Sequence, residues 1–121
     1  MLFKNFLLVG LGGMIGSVCR YAIALIFKNT YFPFSTLIVN VIGSFIIGLI
    51  LGISLKNPTF NNEWRLFLAT GICGGFTTFS AFSYENMSLL KSGNYSYFFL
   101  YVGGSVVFGI FAAWFGMLLI K

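Results

Sequence analysis

Histidine is absent from the chain, and only two residues are acidic, Glu63 and Glu85. Ser-His-Asp and Cys-His nucleophile systems need an imidazole base, so neither can be assembled here. A hydrolytic carboxylate pair would have to join Glu63 to Glu85, which fall at or near the ends of different apolar stretches. Cys19 and Cys73 are isolated inside apolar runs, where thiols act as small hydrophobes, and two such residues make neither a disulfide framework nor a metal site. The inventory points away from an enzyme.

What remains is a set of neutral hydrogen-bonding residues embedded in apolar sequence. It comprises Asn40, Ser44, Thr77, Thr78, Ser80, Ser83, Tyr101 and Ser105, with Arg20 and Glu85 as the charged members. Polar groups inside a membrane are costly, which makes them functional candidates by default. Amide and hydroxyl donors can replace water around a small anion, whereas carboxylates repel it. A cation pathway would show acidic rings or a carbonyl-lined filter. Phe76, Phe79 and Phe82 recur at spacing three beside these hydroxyls. Aromatic edges carry partial positive charge, so they can solvate an anion weakly without trapping it, as conduction requires. A packed aromatic core with hydroxyls bonded back to the helix is the competing reading, and the residues alone leave both open.

The elements that must position these residues are membrane helices. The chain has 121 residues, 59% hydrophobic and 7% charged, against roughly 25% charged in soluble domains. Spans of about 20 apolar residues are predicted at 6–27, 34–55, 64–90 and 96–120, which makes 1–121 a single transmembrane domain. The first apolar run continues past Arg20 with no small-residue cleavage site and reads as a retained helix. Gly12 and Gly16 form a small-xxx-small pair there, and Ser44, Gly48 and Gly52 form a second stripe in the next span. Pro33 suits the first turn of that second span. In the fourth span Tyr101, Ser105, Gly109 and Ala113 share one face at spacing four.

The third span carries Gly71-Ile72-Cys73-Gly74-Gly75-Phe76-Thr77-Thr78-Phe79-Ser80 near its middle. Glycine costs about 1 kcal/mol in a helix interior, so this stretch predicts a break. Non-helical backbone at membrane depth survives only where protein buries it or it lines a wet cavity, and broken helices mark ion or substrate sites. Carbonyls freed there could bind a hard cation such as Na⁺.

The net charge of +5 comes from seven Lys and Arg placed singly, without the clustering of a nucleic-acid surface; they read as headgroup anchors. Both termini and the 56–65 loop share one side, with Lys4, Lys56, Arg65 and Lys121, against Lys28 and Lys91, plus Arg20 if it snorkels that way. So slight a bias instructs orientation weakly. Insertion in both orientations, with antiparallel pairing, stands beside a single orientation fixed by that bias.

Three stretches together resemble the Fluc (CrcB) fluoride channels. They are Gly12-Gly13-Met14-Ile15-Gly16 with Arg20-Tyr21, Thr36-Leu37-Ile38-Val39-Asn40-Val41-Ile42-Gly43-Ser44-Phe45, and Gly71 through Phe82 with Glu85. The likeness covers essentially the whole chain in order and span count. It implies an all-α, dual-topology, antiparallel homodimer in the inner (plasma) membrane, with two fluoride pores and a structural Na⁺ at the dimer centre. Carried over by motif, the Na⁺ is held by main-chain carbonyls of Gly74 and Thr77. The pore takes Asn40, Phe79 and Phe82, with Ser80 as a hydroxyl contact and Tyr101 and Ser105 as a polar track. The third position of that track, often a hydroxyl residue in the family, is Gly109 here. Arg20 matches a first-span arginine and either raises the vestibule potential or acts structurally, by capping a helix end or pairing with Glu85. Thr36 falls at the vestibule, and Glu85 is expected as an internal partner because a bare carboxylate would oppose anion access.

Two other classes compete. A small proton-coupled exporter of cationic drugs also uses four spans and dual topology, but needs a titratable carboxylate deep in the membrane; the first span has none, and Glu85 sits near an end of the third. A non-transporting assembly subunit explains the small-residue stripes but not the polar break.

Overall fold

The computed structural model describes residues 2–120, so Lys121, one of the orientation charges, lies outside the described residues. Apolar residues on every side leave helix as the state that satisfies each backbone group internally within lipid. The order is α1 (Leu2–Ile26), α2 (Phe34–Lys56), α3 (Asn62–Arg65), a π-helical stretch (Leu66–Cys73), α4 (Gly74–Phe76), α5 (Ser80–Lys91) and α6 (Tyr95–Leu119). Among the described residues, four segments are long and apolar enough to cross a membrane, the third being Asn62–Lys91.

Local chemistry sets the ends. Pro33 stands at the N-cap of α2, and the helix stops at Lys56, before Asn57. Asn61 caps α3 by accepting a hydrogen bond from the Glu63 backbone at 2.7 Å, the usual role of a short amide at that position. Gly93, at φ +80°, follows the Ser92 C-cap of α5. There the Asn94 N–H reaches the Leu89 carbonyl and the Gly93 N–H reaches Leu90, the paired bonds of a Schellman turn.

The expected break in the third span is present within the 71–80 stretch, just beyond its glycines. Gly71, Gly74 and Gly75 all stay helical, and the chain leaves the helix at residues 77–79, with Thr77 extended at φ −84°, ψ 159°. The glycines serve a different purpose, which is close approach to α1. A Cβ on Gly12 would lie 2.8 Å from the Gly71 Cα, and one on Gly71 would lie 2.9 Å from the Gly12 Cα. A Cβ on Gly16 would collide with the Ile72 carbonyl, and one on Gly75 with the Gly13 backbone. Lipid gives helices no hydrophobic reason to associate, so this backbone apposition is the attraction itself.

A second seam joins α2 to α6. Cβ atoms on Gly48 and Gly116 would strike the Ala113 and Phe45 carbonyls, and one on Gly52 would press the Ile120 side chain at 3.0 Å. The third span therefore leans on α1 with its 62–76 half, while α5 turns towards α6. Lys4 pairs with Glu63, placing the start of α1 beside the start of the third span.

Candidate functional site: a neutral groove at the helix break

The break is held open by one side chain. Asn40 accepts a hydrogen bond from the Thr78 N–H at 2.9 Å and donates one to the Thr78 carbonyl at 3.1 Å. Its amide thus replaces both helical partners of a single residue. Thr78 in turn uses its hydroxyl to accept from the Ala81 N–H at 3.2 Å, satisfying one of the free N–H groups at the start of α5 from the position before its Phe79 N-cap. Ser80 lies 3.4 Å from that hydroxyl and is exposed.

These bonds leave a particular mark on the carbonyls before the break. The α-helical donor for the Gly74 carbonyl would be the Thr78 N–H, and for the Thr77 carbonyl the Ala81 N–H. Both are given to side chains. Between them, the Gly75 carbonyl accepts from Arg20 Nε at 3.1 Å. The carbonyls of Gly74 and Thr77 are therefore released from helical bonding, which suits the carbonyl ligation of an alkali cation.

Beside the break lies an open groove of about 450 Å³. Asn40, Thr77, Thr78, Phe79, Phe82 and Ser105 line it together with Ser44 and Gly109, and none of its lining residues is charged among the described residues. The Ser105 hydroxyl is buried without a partner among the described residues. Phe79 is 77% exposed, and its ring stands 5.9 Å from that of Phe82. Phe76, at the same spacing, is buried instead.

A second cavity, also about 450 Å³, opens on the other side of Thr78 and is lined by Arg20, Lys28, Thr30, Thr36, Thr78 and Glu85, among others. Thr78 is the wall the two spaces share. Two cations face this vestibule, while both oxygens of its one acid are engaged. Glu85 accepts from the Thr36 hydroxyl at 2.9 Å and from the Tyr101 hydroxyl at 2.7 Å.

Asn40, Phe79, Phe82 and Ser105 thus share the groove, and Arg20, Thr36 and Glu85 share the vestibule. Tyr101 and Ser80 line neither. Tyr101 is fully buried, its ring 4.9 Å from Phe82 and its hydroxyl committed to Glu85. Of the structural partners open to Arg20, the Gly75 carbonyl is the one it takes; it makes no ion pair with Glu85 among the described residues. The groove also includes Thr78 and Ser44, which the family motif does not single out. The signal for Ser44 was its place on the Gly48–Gly52 stripe of α2. A Cβ on Gly109 would lie 3.6 Å from the Ser44 hydroxyl, so that hydroxyl faces the position where the fourth-span track loses its own.

Comparison with known proteins adds a family and its relatives. The model of the family described as CrcB-like protein, Camphor Resistance (CrcB), matches residues 7–117. A protein of Chlorobium phaeobacteroides named fluoride-specific ion channel FluC is 51% identical, over 98% of this chain and 94% of its own. Proteins of the same name from Chlorobaculum tepidum and Leptospira interrogans are 49% and 47% identical, covering 98% and 95% of their own lengths.

Proposed function

The chain belongs to the CrcB-like family, and on that footing we propose that it is a passive, fluoride-selective ion channel of the cell membrane. One observation supports this above the others: a groove of neutral donors and phenylalanine rings is fed by a vestibule carrying Arg20 and Lys28. The vestibule draws an anion in by its potential. The groove then offers an amide, hydroxyls and ring edges in place of water, each weak enough to let the ion move on. Fluoride enters a cell as neutral HF and is trapped on dissociating at higher internal pH. An inside-negative potential drives the anion out through any open path, so export needs no fuel, and the protein acts as a conduit and not as an enzyme.

The working unit is an antiparallel homodimer. The groove is open along one side, and Phe79 and Ser80 are exposed beside it. Bare polar backbone at membrane depth needs protein or water over it, and a second copy supplies a matching surface. Na⁺ held by the Gly74 and Thr77 carbonyls would neutralise the dipoles of the freed carbonyls and place a positive charge near the anion path.

The test is fluoride efflux from liposomes holding the purified protein, beside chloride-loaded controls. Voltage-driven fluoride release without matching chloride release is the expected result. Intact, folded protein that releases neither ion would overturn the channel reading.

A further inference from the structure

Asn40 is expected in the pore, where its amide N–H would face fluoride. In the structure the same amide donates to the Thr78 carbonyl, and its oxygen takes the Thr78 N–H. That N–H lies four residues after Gly74 and would otherwise close a helical bond onto the Gly74 carbonyl. Without Asn40, the 62–76 helix could run on by one residue and absorb that carbonyl. We infer that Asn40 is a positioning residue for the cation site: by holding the Thr78 N–H it keeps the Gly74 carbonyl available to Na⁺, so that one side chain couples the groove to the central cation.

Two further bonds bear on this. Arg20 occupies the Gly75 carbonyl from the α1 side, which takes that oxygen out of the set freed at the break. Thr78 keeps the Thr77 carbonyl free by its own bond to the Ala81 N–H. Of the Gly74 and Thr77 oxygens, that of Gly74 is freed by a side chain of another helix, Asn40 on α2. Side chains that orient metal ligands without touching the ion commonly govern affinity by about 10–100-fold.

The inference rests on the Na⁺ reading above, and the experiment separates the two. The full-length protein is titrated with NaCl against N-methyl-D-glucamine chloride at constant ionic strength, and thermal unfolding is followed. The wild-type unfolding temperature should rise with Na⁺ towards a plateau. Asn40→Ala should need at least about tenfold more Na⁺ for the same half-rise. A merely structural asparagine would lower the whole curve without moving its midpoint. Asn40→Asp keeps an acceptor for the Thr78 N–H, so its Na⁺ response should survive even as a carboxylate in the groove suppresses fluoride flux.

Asn40→Ala with the wild-type midpoint overturns the positioning role. So does an assembled Asn40→Asp protein that has lost its Na⁺ response, and this second variant decides the matter if the alanine variant does not fold. A wild type indifferent to Na⁺ overturns the cation reading, and the inference with it.

Discussion

Residues 62–76 and α5 belong to one apolar span, yet the first is fixed to α1 by glycine and the second to α2 and α6 by polar side chains. Along the first half, Gly12, Gly16, Gly71 and Gly75 bring two backbones together with no side chain between them. Just ahead of the second, Asn40 holds Thr78, and along it Thr36 and Tyr101 hold Glu85. Backbone apposition leaves no room for an ion, and it makes a rigid support. Polar clasps leave space beside them and expose donors, and the groove opens on that side. The difference teaches why both sorts of residue occur in one span: the first half is an anchor against which the second can be bent.

The comparison breaks most sharply at Gly16. A side chain there meets the Ile72 carbonyl and the Phe76 N–H, which are backbone and cannot swing aside. Gly16→Val should cost about 3 kcal/mol or more by overpacking and yield little monodisperse protein on size exclusion. Gly10, on the same helix with no neighbour within 4 Å, supplies the control. Gly10→Val should purify normally. Equal tolerance at both positions would remove the anchor from this account.

The groove side should fail in flux before it fails in assembly. Phe79 is exposed and its ring stands tilted by 40° against that of Phe82, so Phe79→Ile sacrifices little packing. The lost ring edge, worth about 1 kcal/mol, should reduce fluoride efflux by roughly fivefold while the elution profile stays unchanged. Undiminished efflux would take Phe79 out of the path.

How far the fold and site were legible in sequence follows the same division. Hydropathy marks all four spans, because a membrane helix needs only length and apolarity. Gly12–Gly16 reads correctly as a close-packing pair, since spacing four places both on one face. The glycine-rich stretch of the third span marks the break to within a few residues, but its glycines themselves stay helical as spacers against α1. The break at Thr77–Phe79 depends on Asn40, 38 positions away in sequence, and no local pattern reports a tertiary clasp. Tyr101 is likewise ambiguous in sequence: spacing four puts it in line with Ser105, yet its hydroxyl finds Glu85.

Tyr101→Phe sharpens the assignment. Removing the hydroxyl leaves the Glu85 carboxyl with Thr36 alone. The expected cost is about 1 kcal/mol in stability, seen as a lower unfolding temperature, with efflux changed less than about threefold. A large loss of efflux at unaltered stability would instead place that hydroxyl on the ion's route.

The smallest effect concerns Gly109, where the fourth-span track lacks a hydroxyl. Ser44 on α2 directs its own hydroxyl at this spot, 3.6 Å from where a Cβ would sit. That is ordinary van der Waals distance, so Gly109→Ser fits without displacing backbone and gains about 0.5 kcal/mol in helix propensity. If Ser44 supplies the missing hydroxyl, Ser44→Ala alone should lower efflux by about threefold, a deficit near the low end for one hydrogen bond. In a Gly109→Ser background the same change should cost almost nothing, because the added serine offers a donor at the same level. Efflux from the four variants closes a double-mutant cycle whose coupling measures this substitution directly. Strict additivity would mean that the ion passes this level without a hydroxyl from either helix.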